Sequence, residues 1–254
     1  MFCKNVSRGF LDAVYPPLCL ICGQLSEGPY PHCCLGCFDS FEPVGDRCCE
    51  LCGEPFPDSQ VPHLCLVCIK GRPPFKWCRG VLLYRGAVAE ALSRLKYGGM
   101  IPLLKPLEEA LGSGIRSLHP FPEVDLLIPV PLSFSGRWKR GFNQSNILAV
   151  SVARQLDVEV QAGALRKKGS RTQVGLAAKE RSRNAAASFV AGRAINLVRG
   201  KRVLLFDDVY TTGATVRACA RILRSAGASV SVLTLARAVA GNYVSKKPGI
   251  EVSK

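Results

Sequence analysis

The chain has 254 residues, of which 48% are hydrophobic, enough to bury the core of one α/β domain and a smaller module beside it. No apolar run approaches bilayer-spanning length, and residues 10–15 are too short for a secretory leader, carry Asp12 and run into Pro16-Pro17. Membrane insertion is therefore not expected and a cytoplasmic location is, while a net charge of +15 favours polyphosphate or nucleic-acid partners.

Thirteen cysteines are present, and twelve of them precede residue 79. Without a leader, such crowding points to metal rather than to disulfides. Four Cys-x-x-Cys pairs, Cys19/Cys22, Cys34/Cys37, Cys49/Cys52 and Cys65/Cys68, start 15, 15 and 16 residues apart. The two-residue spacing lets both sulfurs of a tight turn reach one tetrahedral Zn²⁺. Gly23 and Gly53 follow Cys22 and Cys52, whereas Phe38 and Ile69 follow Cys37 and Cys68. A Cys-x-x-Cys-Gly unit followed by a plain Cys-x-x-Cys thus occurs twice. The expected module is two successive zinc ribbons, each with a Cys₄ site. Four sulfurs leave no open coordination position, so both zinc ions are expected to be structural. Eight thiolates and two Zn²⁺ together contribute −4, which leaves the chain at +11. Cys33 and Cys48 adjoin ligand cysteines and stay open as substitutes by a one-residue slip, and His32 and His63 lie near. A redox dithiol would need a βαβ setting, but Pro- and Gly-rich loops surround these pairs. Cys78 and Cys219 fall on apolar faces and are expected to be core thiols.

Pro73-Pro74 closes the module. The expected division is 1–74 for an N-terminal segment and the ribbons, 75–240 for an α/β domain and 241–254 for a tail. Residues 77–84 predict a strand, 87–97 a helix stopped by Gly98-Gly99, 102–115 a second helix, and 125–130 a buried strand leaving into Pro131. A basic loop follows. Its Arg137, Lys139 and Arg140, with Asn143 and Gln144, suit a pyrophosphate, the plain alternative being a solvated loop. Asn143 is placed to cap a helix running to Leu156. A second basic cluster holds Arg166, Lys167, Lys168, Arg171, Lys179, Arg181 and Arg183. With Gly169 and Gly175 among them, it suits a loop closing over a phosphorylated substrate or one exposed to nucleic acid.

The densest segment lies near the end. Residues 203–206 form an unbroken apolar run, as in a strand covered on both faces, and Asp207 and Asp208 stand where it emerges. Paired carboxylates there can accept hydrogen bonds from vicinal hydroxyls or help hold a divalent ion. Thr211, Thr212, Gly213, Ala214 and Thr215 make a small-residue turn whose backbone N–H groups, with a helix N-terminus behind them, suit an anion. Val216, Cys219, Ile222, Leu223 and Ala226 mark one buried helix face, Gly227 ends that helix, and 229–235 predicts the next strand. Arg217, Arg221 and Arg224 read as its solvated face. Strands alternating with helices imply a parallel sheet with ligands at the strand C-terminal ends. An acid-capped helix with no ligand is the plain alternative.

The segment 203–215 closely resembles the 5-phosphoribosyl-1-pyrophosphate (PRPP) motif of type I phosphoribosyltransferases. The resemblance implies that Asp207 and Asp208 meet the ribose 2′ and 3′ hydroxyls. It also implies that the turn 211–215 takes the 5′-phosphate through backbone amides, with Mg²⁺ accompanying PRPP. Tyr210 stands where that motif more usually has an aliphatic residue. Further strings widen the match: Leu95-Lys96-Tyr97-Gly98-Gly99, Pro129-Val130-Pro131, Arg140-Gly141-Phe142-Asn143-Gln144, Gln173-Val174-Gly175-Leu176 and Arg181-Ser182-Arg183-Asn184. With these and the double Cys₄ module, the chain resembles the ComF family over almost its whole length. That resemblance implies a type I phosphoribosyltransferase-like parallel sheet with flanking helices, and a link to competence and DNA uptake. Two functions follow as expectations. In one, PRPP binds and pyrophosphate leaves the anomeric carbon, with Asp207, Asp208 and Arg140 as catalytic residues, Arg137, Lys139 and Arg140 offsetting the leaving charge, and the acceptor unnamed. In the other, a non-catalytic accessory protein binds single-stranded DNA or DNA-uptake partner proteins.

Overall fold

The computed structural model describes residues 16–56, 61–118, 121–131, 144–168 and 188–239. Its elements, in chain order, are α1 (Leu35–Asp39), α2 (Leu66–Lys70), β1 (Cys78–Leu83), α3 (Gly86–Tyr97), α4 (Leu104–Ser117), β2 (Leu126–Pro129), α5 (Gln144–Leu156), β3 (Glu159–Val160), β4 (Leu165–Lys167), β5 (Phe189–Ala191), β6 (Arg202–Tyr210), α6 (Ala214–Ser225) and β7 (Ser229–Arg237). One five-stranded sheet runs in the order β1-β7-β6-β2-β3 with every pairing parallel, and β4 and β5 form a separate antiparallel pair.

Residues 203–206 are almost completely buried, as an all-apolar strand between two helical layers must be. On one face, Leu92 of α3, Leu107 of α4 and Leu148 of α5 share a core with Leu204 and Phe206. On the other, Val216, Cys219 and Leu223 of α6 pack with Leu205 and Val232. The chain leaves β2 through α5 toward β3 at one edge, and leaves β6 through α6 toward β7 in the opposite direction. The two connections diverge between β2 and β6, and in such sheets the ligand crevice opens where they part.

Several elements differ from the sequence expectation, among them β7, which runs to Arg237 rather than stopping at 235. The helix expected over 102–115 begins as a 3₁₀ turn, Ile101–Leu103, before α4 starts at Leu104. The strand expected to stop at Phe206 continues to Tyr210, because β7 pairs with it from Asp207↔Thr234 to Tyr210↔Arg237. Cys78 and Cys219 are fully buried. Among the described residues no helix is long and apolar enough to cross a membrane. Asn143, Arg137, Lys139, Arg140, residues 169–187 of the second basic region and the 241–254 tail lie outside the described residues.

The two ribbons repeat one local plan. The Gly23 N–H donates to the Cys19 carbonyl at 2.9 Å and the Gly53 N–H to the Cys49 carbonyl at 2.8 Å, with both glycines at positive φ. Cys34 and Cys65 are the N-caps of α1 and α2, so Cys37 and Cys68 lie in the first helical turns. The module is welded to the sheet. Cys19, Ile21, Cys37 and Phe41 share a core with Leu82 and Leu95. Residues 42–44 run antiparallel along β1: the Leu83 N–H donates to the Glu42 carbonyl at 2.7 Å and the Val44 N–H to the Val81 carbonyl at 3.0 Å. Arg85 forks onto the Glu42 carboxylate, and the Cys78 N–H donates to the Leu51 carbonyl at 2.7 Å. The outer edge of β1 is therefore paired. A shared core makes a checkable statement: Phe41→Ala should cost about 3–5 kcal/mol, and denaturant unfolding followed by fluorescence and by circular dichroism should show a single shifted transition.

Candidate functional site

Asp207 and Asp208 sit at the C-terminal end of β6, each only 9% exposed. Successive strand residues face opposite ways, and these two find different company. The Asp208 carboxylate meets the Lys96 ammonium of α3 at 2.9 Å, between side chains that are mostly covered. The Asp207 carboxylate accepts the Asp208 backbone N–H at 2.9 Å and lies close enough to α6 for its charge, after burial itself, to help push the Cys219 thiol up. Burial first, and then the neighbouring Asp208 charge, push Asp207 up to about 8, while Lys96 and Lys167 pull the other way. Lys167, on β4, holds its ammonium 5.2 Å from the centre of the Phe189 ring.

The turn after β6 is built around Gly213. It caps α6 in the left-handed conformation at φ 73°, and a Cβ there would overlap the Tyr210 hydroxyl. Glycine is thus required twice, by the backbone and by the ring beneath it. Thr211 and Thr212 are exposed, and the Thr212 hydroxyl accepts the Ala214 N–H at 3.4 Å. The first N–H groups of α6 have no partner within the helix and point toward the crevice end of the sheet, a placement that suits an anion. Tyr210 is buried under this turn, and burial pushes its hydroxyl up to about 12. Its ring also carries the guanidinium of Arg237, 4.3 Å from the centroid.

The eight paired cysteines gather as two groups, Cys19 with Cys22, Cys34 and Cys37, and Cys49 with Cys52, Cys65 and Cys68, whose sulfurs all lie within 4.8 Å of one another in each group. Sulfurs at about 2.3 Å from a tetrahedral Zn²⁺ stand about 3.8 Å apart. The Cys22–Cys34 and Cys52–Cys65 separations are 3.7 and 3.6 Å, so the donor sets fit zinc and leave no open position. Backbone N–H groups of Ile21 and Cys65 point at the Cys19 and Cys49 sulfurs, each at 3.4 Å. Burial opposes ionisation of Cys19, but hydrogen bonds from the backbone of Cys22, Cys34 and Ile21 outweigh it and bring the thiol to about 6. In the second group Cys49 behaves alike, burial being outweighed by the backbone of Cys52, Cys65 and Leu51, at about 7. Cys33 and Cys48 are buried outside both groups, so the one-residue slip does not occur. His63 stacks on Phe56 at 3.9 Å.

The sheet brings Asp207, Asp208 and the turn 211–215 together, and it adds partners that sequence reading left without a role. Lys96 belongs to a string singled out only for its resemblance. Arg237 ends an apolar strand, and its charge among buried neighbours was the available signal. Glu54, which pairs with Arg237, carried none.

Family models describe both halves. The double zinc ribbon domain matches residues 10–69 and the phosphoribosyl transferase domain residues 143–254. The chain therefore joins a double zinc ribbon to a parallel α/β domain of the type I phosphoribosyltransferase class. It is 31% identical over 181 residues to Competence protein F of Haemophilus influenzae, covering 68% of this chain and 78% of that protein. It is 32% identical over 193 residues to DNA utilization protein YhgH of Escherichia coli K12, covering 73% and 82%. With Competence protein ComFC of Bacillus subtilis the identity is 29% over 195 residues, covering 74% and 76%. The chain belongs to the ComF family.

Two outcomes are expected. Elemental analysis should find two zinc ions per chain, and Cys37→Ser should lose one of them. The second concerns pH. Asp207 ionises near 3.8 when unfolded and near 8 when folded, so the folded state holds a proton through that window and loses stability as pH rises across it. Asp207→Asn removes this cost. Its thermal midpoint should exceed the parent's by several degrees at pH 8.5, with a clearly smaller gain at pH 5.

Proposed function

We propose that this chain is a PRPP-binding protein of DNA uptake or use, with its ligand at the switch point between β2 and β6. One observation carries the reading: two buried carboxylates stand beside a turn of small residues that a left-handed glycine closes onto a helix N-terminus. Asp207 and Asp208 accept the ribose hydroxyls. The turn 211–215 offers backbone N–H groups and the Thr211 and Thr215 hydroxyls to the 5′-phosphate. Arg137, Lys139 and Arg140 offset the pyrophosphate. Mg²⁺ arriving with the pyrophosphate would supply further charge neutralisation, and the hard oxygens of the Asp pair suit it. Lys96 neutralises Asp208 while the site is free, which limits the repulsion between the two acids. The same residues suit displacement of pyrophosphate, because the acids and the turn would fix the sugar at both ends and the basic loop supplies cations to offset the developing charge. The names of the relatives, two competence proteins and a DNA utilization protein, support the cellular half of the proposal.

Calorimetric titration of the zinc-loaded chain with PRPP and Mg²⁺ should show one saturable site. Converting both Asp207 and Asp208 to Asn should weaken it by roughly 100-fold, since the hydrogen bonds that the two carboxyl groups make to the ribose, at least one of them charge-assisted, are lost. Unchanged affinity in that variant sinks the assignment. Pyrophosphate release with candidate acceptors then reads turnover.

A second reading, binding of single-stranded DNA without catalysis, is favoured by a cleft of about 470 Å³ at the opposite end of the sheet. Arg72, Lys76 and Arg224 line it with Leu51 and Phe75, and no carboxylate is among its lining residues. Phosphate-dominated binding should fall steeply with salt, as fluorescence anisotropy of a labelled oligonucleotide would read. A flat salt profile removes this reading.

A further inference from the structure

Arg237 is the largest fully buried side chain described, a guanidinium only 2% exposed at the end of the inner strand β7. Packing does not call for a cation there: an apolar residue of similar volume would fill the space without the cost of desolvating a charge. Its contacts run in two directions. Toward the second ribbon, Nη1 donates to the Cys52 carbonyl at 2.5 Å, while Nη2 pairs with the Glu54 carboxylate and stands 3.8 Å from the Cys52 sulfur. Toward the turn 211–215, the guanidinium carbon lies 4.3 Å from the centre of the Tyr210 ring, whose hydroxyl end lies against Gly213. Among the described residues Nε finds no partner, so three engaged groups hold the side chain against an unsatisfied buried donor. The four-sulfur group beside it fits Zn²⁺ and would carry two negative charges when loaded. A fixed cation next to one of its sulfurs offsets part of that charge, as outer partners of metal ligands do.

We infer that Arg237 is a positioning residue that ties the second Cys₄ site to the turn 211–215, so that occupancy of that site sets how firmly Tyr210 seats Gly213. The path is one contact long at each step: Cys52, Arg237, Tyr210, Gly213. Loss of the metal frees the Cys52 turn, whose carbonyl and sulfur fix the guanidinium, so the guanidinium and the ring above it loosen and the turn loses its floor. The first site has no such contact among the described residues, so the two zinc ions are not equivalent. That this turn serves a phosphate rests on the reading proposed above. The coupling itself does not, and its test reads the turn without a ligand.

The experiment uses the full zinc-loaded chain. A chromophoric chelator follows zinc release, and hydrogen exchange with mass spectrometry follows the peptide spanning 209–216. In the unmodified chain, exchange in that peptide should rise with release of one of the two zinc ions and not with the other. In Arg237→Lys, which keeps the charge but not the flat fork, one zinc should leave about tenfold faster and the 209–216 peptide should exchange faster, with the first-ribbon peptide 19–37 unchanged. Tyr210→Leu should speed exchange in the turn while both zinc ions leave at the parental rate. The inference is overturned if the turn keeps its parental exchange after both ions are gone, or if Arg237→Lys accelerates the two ions equally. PRPP titration of the same samples is scored separately. Absence of PRPP binding in the unmodified chain would remove the ligand reading and leave the coupling result standing.

Discussion

Two carboxylates buried side by side repel one another, and much of the architecture around Asp207 and Asp208 is a response to that repulsion. Burial first, and that repulsion second, push Asp207 well above the ordinary carboxylate range, and Asp208 is met by Lys96 from a helix on the far side of the sheet. A second ammonium, Lys167, reaches in from the small antiparallel pair. The backbone contributes as well, with the Asp208 N–H bonded to the Asp207 carboxylate. A sheet that places such groups at the end of its most buried strand gives up stability to do so, and the departures of a protein from its best packing tend to mark where it works. A ligand that brings hydroxyl donors and its own cation would relieve that repulsion.

How much of this could be read from the sequence follows from how far apart the parts lie along the chain. Strand β6, the turn and α6 are contiguous, so the hydrophobic run, the acids and the small residues appear in order within about thirteen positions. The paired cysteines were legible because the unit repeats, and the glycines after Cys22 and Cys52 fixed which pairs share a group. Lys96 lies more than a hundred positions before Asp208, and Cys52 lies 185 positions before Arg237. Contacts of that separation leave no local pattern. The strand was read four residues short because its last ladder partners belong to β7, and alternation around charged residues gives no hint of continued pairing. Strands as short as β3 and β4 carry too few residues to show a period at all.

The ribbons are less an appended domain than a second wall. Cysteines of the first ribbon and Phe41 lie in the same core as the helices that cover the sheet, and a strand-end arginine reaches back into the second ribbon. Metal binding in small modules supplies folding free energy that a short segment with few apolar residues lacks. Here that free energy is spent partly on the neighbouring sheet, because the segment between the ribbons is also the outermost partner of β1.

That last arrangement has a consequence for the chain in a cell short of zinc. Residues 42–44 precede β1 in the chain, so during synthesis the cover emerges before the edge it protects. Without metal, the segment keeps only its hydrogen bonds to β1, the Glu42–Arg85 pair and Phe41, and wherever these open, the row of amide and carbonyl groups along β1 is left unpaired. An apolar parallel sheet with such an open side invites pairing with another copy. Metal starvation would then act on this protein first as self-association, before any loss of the fold that carries the acids.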